Sequence, residues 1–155
     1  MRRLSFFLYV AIIASTFATM GRSQCFFPAM EKPFPKTTRQ GIAPYATIDI
    51  PSGFQVRDRG GNVDYWFGSL VSDERSLRIT YSAGLVASIF DEYKKDLTCT
   101  ETVQDADLPF TFAIAKRKNE EIVLAEVFWT QFSAVVKSEK EKALFYHIVR
   151  SYSKK

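Results

Sequence analysis

Between residues 45 and 82 the chain repeats one pattern four times: apolar and polar residues alternate, and a turn cluster then interrupts. Tyr45 to Ile50 sets Ile48 and Ile50 on one side and stops at Pro51-Ser52-Gly53. Phe54 and Val56 resume the alternation until Gly60-Gly61-Asn62, and Val63, Tyr65 and Phe67 begin it again. Leu77, Ile79 and Tyr81 then oppose Arg78, Thr80 and Ser82. Successive side chains of an extended strand point to opposite faces, so this period marks half-buried antiparallel strands. The Pro, Gly and Asn clusters supply the turns between them. A chain built this way must bury sheet faces against other elements.

The period changes after Gly84. Leu85, Val86, Ile89, Phe90 and Tyr93 recur at helical spacing, with Lys94 and Lys95 placed for the last turn. A continued strand is the alternative at the start of this segment. Strand patterns return at 97–104 and at Phe110, Phe112 and Ile114, and Asn119-Glu120-Glu121 reads as a turn. Ile122 to Phe132 is a long apolar run in which Val123, Ala125, Val127 and Trp129 share a face. Ser138 followed by Glu141 is a capping box, whose two side chains satisfy free N–H groups at a helix start. Phe145, Ile148, Val149 and Tyr152 then form one apolar stripe. The sum predicts an α+β fold: a single antiparallel sheet of six or seven strands with two helices packed on it.

The first residues speak of compartment. Arg2 and Arg3 precede an apolar stretch from Leu4 to Met20, after which small polar residues follow, the layout of a secretory signal peptide over residues 1–23. A retained membrane anchor is the alternative, although the run is shorter than the ~20 apolar residues of a spanning helix. The whole chain carries 21 Lys and Arg against 17 Asp and Glu. Arg2, Arg3 and Arg22 lie in or beside the leader, and without them 18 basic residues face 17 acidic ones, a net +1. A nucleic-acid-binding domain needs clustered positive charge, so that partner class is excluded. Residues 24–43 form an extended Pro-rich lead-in and residues 44–155 a single domain. Cys25 and Cys99 are predicted to form one disulfide, as two cysteines of an exported chain most simply do. A reactive thiol paired with His147 is the alternative. The expected location is secreted or periplasmic, with membrane contact only if the leader is retained.

Two segments resemble the PsbP-like superfamily of α/β/α sandwiches. One is Ile48-Asp49-Ile50-Pro51-Ser52-Gly53-Phe54, similar to that family's strand and Pro-x-Gly-aromatic hairpin. The other is the closing helix, Phe145-Tyr146-His147-Ile148-Val149-Arg150-Ser151-Tyr152. The resemblance spans residues 44–153 and implies an exported sandwich of accessory or binding role, without a shared catalytic set.

Side chains that could carry chemistry are sparse. One histidine without companion ligands is a poor metal or base site. Asp58-Arg59-Gly60-Gly61-Asn62-Val63-Asp64 lacks the alternating ligands and closing Glu of a calcium loop. Neither Gly-rich phosphate pattern nor a serine-nucleophile motif occurs. No catalytic residue, metal or cofactor is therefore predicted. Tyr65-Trp66-Phe67 is the segment suited to binding: alternation turns Trp66 away from its neighbours, and Arg57, Arg59 and Arg78 fall on the adjoining strands. Aromatic residues beside Arg are typical of protein-binding hot spots. The expectation is an exported binding or accessory module with a protein partner, using Trp66, Arg57, Arg59 and Arg78. The alternative is a small secreted hydrolase-type enzyme whose site assembles only in three dimensions.

Overall fold

Turn chemistry divides the chain into hairpins. The computed structural model describes residues 25–27, 36–74, 76–105 and 108–155; the expected leader, and residues 24 and 28–35 of the lead-in, lie outside the described residues. β1 (Thr37–Ala43) and β2 (Ala46–Pro51) form the first hairpin, and Gly53, with φ +87°, turns the chain into β3 (Phe54–Gly61). β4 (Tyr65–Ser72) and β5 (Arg78–Gly84) follow, and then a single helical turn, α1 (Ile89–Tyr93). β6 (Leu97–Asp105), β7 (Leu108–Arg117), β8 (Glu120–Val127) and β9 (Thr130–Val136) make an antiparallel meander. α2 (Glu139–Arg150) and the short β10 (Ser153–Lys154) close the chain.

These strands belong to two sheets, a seven-stranded one ordered β3-β4-β5-β9-β8-β7-β6 and a three-stranded one ordered β1-β2-β10. The expectation of an α+β fold on a single antiparallel sheet with two helices packed on it is thereby corrected: the fold is mostly β. Two physical facts account for the difference. Thr37–Ala43, read as lead-in, pairs along β2, while Ser153–Lys154 pairs on β2's other side, so β2 becomes the centre of its own sheet. Alternation reports that a strand has one buried face, not which sheet it joins. The first expected helix, whose stripe begins at Leu85, also shrinks to one turn, because the chain is capped only at Ser88. Among the described residues no helix is long and apolar enough to cross a membrane.

The core lies between the two sheets. One face of the seven-stranded sheet presents Tyr81, Phe132, Ala125 and Phe112 in register across β5, β9, β8 and β7, all buried. Ile48 and Ile50 of β2 and Phe145, Ile148 and Val149 of α2 cover them. α2 begins as its sequence demands: the Ser138 hydroxyl accepts the Glu141 N–H at 3.2 Å. The Glu141 carboxylate accepts the N–H of Lys137, one residue before the cap, at 2.6 Å. Lys142 is drawn into this layer, where it pairs with Glu121 of β8 at 2.7 Å and Glu139 at 2.9 Å. Burial opposes its charge, but those hydrogen bonds prevail and raise its pKa, so it stays protonated at neutral pH.

Cys25 and Cys99 form the disulfide, both buried, with Cα atoms 5.2 Å apart. The bond pins the segment before β1 onto the edge strand β6, and Phe27 stacks on Tyr146 of α2 at 4.9 Å. Closing a loop of this length stabilises the fold by about 4 kcal/mol in the chain-entropy model.

Candidate functional site: an aromatic tip and a hydroxyl-lined cleft

Several turns converge at one end of the molecule. β8 and β9 are joined by the two residues Phe128 and Trp129, since Val127 pairs directly with Thr130. Phe128 holds φ +54°, at the position where such tight hairpins favour glycine. An aromatic residue in that conformation costs on the order of 1 kcal/mol or more. The Gly84 N–H donates to the Trp129 carbonyl at 2.8 Å, and the Leu85 N–H donates to the Asp64 carbonyl at 3.2 Å. The connections after β3 and β5 are thus tied to the Phe128-Trp129 turn.

This tip is apolar and open to solvent. Val63 is 85 %, Leu85 82 %, Trp129 56 % and Phe128 42 % exposed. Phe128 and Trp129 stack at 4.7 Å, and Tyr45 from the β1–β2 turn meets both edge-on. Trp66 lies half-buried behind, with its ring centroid 6.0 Å from that of Tyr45. The rim is basic. Lys154 Nζ sits 4.0 Å above the Phe128 ring, the Lys155 N–H donates to the Tyr45 carbonyl, and Arg59 donates to the Gly41 carbonyl. Asp64 is the acidic residue in the same turns.

A second feature occupies the other face of the seven-stranded sheet. α1 covers only part of that face, packing Ile89, Phe90 and Tyr93 over Ala113, Ala115, Ile122 and Leu124. Beside α1 a cleft of about 560 Å³ remains, floored by Ser69, Thr80, Ser82, Gln131 and Ser133. Tyr65 and Phe67 form one wall, their rings 5.6 Å apart. Phe67 can lie flat because Gly60 has no side chain: a Cβ there would come within 2.5 Å of the Phe67 ring. A bulge in β3, where two residues oppose Gly68, turns Asp58 to φ +51° and swings its carboxylate onto this face. There it accepts the Ser69 hydroxyl at 3.1 Å and pairs with Arg78. Arg78 Nη2 also donates to the Ser69 hydroxyl oxygen at 3.1 Å. Ser88, at the cap of α1, donates to Glu126, and Gln131 donates to the Ala87 carbonyl at 2.6 Å.

The four residues singled out from sequence divide between these places. Trp66 and Arg59 support the tip, whereas Arg57 and Arg78 lie on the cleft face, Arg57 donating to the Gln55 side chain. The exposed residues of the tip itself are not among them. The sequence pattern places Trp129 on a strand face and Leu85 on a helix stripe, and neither element extends that far. A signal existed: positions facing the main core run odd through Val123, Ala125 and Val127, then even through Phe132 and Ala134, while Ile122 and Leu124 pack under α1 on the other face. Such a phase change requires a turn with an even number of residues between the strands, and two-residue turns are the commonest of these.

The cleft holds no imidazole or thiol, because the one histidine is exposed on α2 and both cysteines are in the disulfide. Among the described residues no three His, Cys, Asp or Glu side chains are grouped to hold a metal ion. What both places supply is contact area and hydrogen bonding. Compared with family models, curated proteins and solved structures, the chain finds no match in any of the three.

Proposed function

We propose that this is an exported binding module that docks a partner protein through its aromatic tip. The observation that carries the reading is the exposed Val63, Leu85, Phe128 and Trp129 gathered by backbone hydrogen bonds at one end of the fold. Large apolar side chains scattered singly are ordinary on a protein surface, but a contiguous group with a polar rim marks an interaction site. Phe128 sharpens the point, since strain at a turn that glycine would relieve is the kind kept for function. Aromatic anchors held rigid from behind lose little entropy on binding. Tyr45 and Trp66 provide that backing here. Lys154, Lys155 and Arg59 favour a partner whose apolar pocket has an acidic rim. The apolar leader and the buried disulfide support export, and the two segments that resemble PsbP-like proteins support an accessory role.

The test is a Val63→Ser, Leu85→Ser, Trp129→Ser variant expressed with the native leader. The reading expects an unchanged fold and disulfide, with loss of the complexes that the unaltered protein forms in the exporting cell. Complexes that persist unaltered would contradict it. Binding of the unaltered protein to phosphatidylglycerol vesicles, lost in the variant, would instead assign the tip to a lipid surface.

A further inference from the structure

The cleft beside α1 makes a different offer from the tip. Its volume of about 560 Å³ lies within the range of small-ligand sites. Its charges are already compensated. Arg78 is paired with Asp58, and Glu92, from the α1 wall, lies 3.8 Å from Arg117. An anion therefore finds no free positive charge, and a cation finds little beyond Asp91. The floor is instead a field of hydroxyl and amide groups, and a Ser or Thr hydroxyl both donates and accepts. Its best complement is another hydroxyl. The Asp58–Arg78–Ser69 cluster adds an acceptor pair and a planar donor fork side by side, a match for neighbouring hydroxyls on a ring. Phe67, 42 % exposed and tilted 30° from Tyr65, supplies a flat apolar wall against which the C–H face of a ring can stack.

We infer that this cleft is a binding site for a neutral saccharide, one sugar ring stacking on Phe67 while its hydroxyls meet Asp58, Arg78, Ser69 and Ser133. The site is independent of the tip. The bulge that turns Asp58 onto this face and Gly60, the glycine that admits the Phe67 ring, lie two residues apart in β3 and build it together.

The test is an amide NMR titration of the leader-free, disulfide-bonded protein. The probes are maltotriose, cellotriose, mannotriose and triacetylchitotriose, with citrate and spermidine as charged comparators. The expected result is saturable shifts at Gly68, Ser69, Ser82 and Ser133 with at least one trisaccharide, at a Kd of about 1 mM or tighter. Citrate and spermidine should leave those signals in place. Phe67→Ala should weaken the binding at least ~10-fold, a loss of ~1.4 kcal/mol. Ser133→Ala should weaken it several-fold, and Val135→Ala, exposed elsewhere on the sheet, not at all. The spectra of the variants away from the cleft report that each is folded. Absence of cleft shifts with all four sugars, shifts with a charged comparator alone, or sugar binding untouched by Phe67→Ala would each overturn the assignment.

Discussion

The two faces of the seven-stranded sheet are made from the same strands and have opposite fates. On the inner face Tyr81, Phe132, Ala125 and Phe112 line up across four strands beneath α2 and the small sheet. Their sequence neighbours Thr80, Ser82, Gln131 and Ser133 point outward, and α1 is too short to cover them. The first face holds the fold together and the second is left with its hydrogen-bonding capacity in reach of solvent. The lesson is that one shortened helix decides where a packed surface ends and a cleft begins. Recognition surfaces then arise where coverage stops, at the open half of the outer face and at the hairpin ends.

Substitutions on the two faces should separate by size. Phe112→Ala removes a fully buried ring and should cost about 3–5 kcal/mol in chemical denaturation. Ser133→Ala in the next strand but one, on the outer face, should stay within about 0.5 kcal/mol. Equal costs would break the comparison. Loss of the disulfide by Cys25→Ala with Cys99→Ala belongs with the inner face and should cost about 4 kcal/mol by the same assay.

A smaller effect tests how tightly the inner face is filled. A Cβ on Gly68 would come within 2.4 Å of the Tyr81 hydroxyl oxygen, so Gly68→Ala should cost about 1–3 kcal/mol. Among the described residues that hydroxyl meets no hydrogen-bond partner. Tyr81→Phe should therefore be neutral or stabilising, and combined with Gly68→Ala it should recover part of the loss. Thermal melts of the four proteins measure the cycle.

At the tip the expected sign reverses. Phe128→Gly relieves a positive φ, so stability should hold or rise, by up to about 1 kcal/mol, while partner binding weakens. A drop in stability would mean that Phe128 is a packing residue.

The smallest effect is acidic. The side-chain hydrogen bond from Arg39 leads in holding the Asp49 carboxyl below its ordinary value of 3.8. A depressed carboxyl stabilises the fold above its unfolded pKa and loses that contribution as pH falls through the folded one. Asp49→Asn should thus be slightly less stable than the unaltered protein at neutral pH, and the two should converge below about pH 4. Melts across that range check it.

Much of this architecture is legible in the residues. Alternation in Leu77–Ser82 and the Pro51-Ser52-Gly53 turn locate strands and hairpins, and Ser138 with Glu141 marks the start of α2. The cysteines announce their bond because the chain has only two. The second sheet is not legible, because pairing of Thr37–Ala43 with β2 is a long-range choice that no local pattern records. The site is harder still. Trp66 stands out in sequence, yet it backs the surface rather than forming it. Phe128 and Trp129 are hidden inside an apolar run, and only the change of phase across them reveals a turn. Asp58 reaches the cleft through a bulge, an extra residue that shifts every side chain after it.

The most direct test of docking through the tip is photocrosslinking in the exporting cell, with the probe placed at Leu85 or, for comparison, at Val135 on the outer face. Both positions are exposed. The account predicts one discrete protein adduct from Leu85, abolished by Trp129→Ser, and none from Val135. No adduct from Leu85, or the same adducts from both positions, would contradict it.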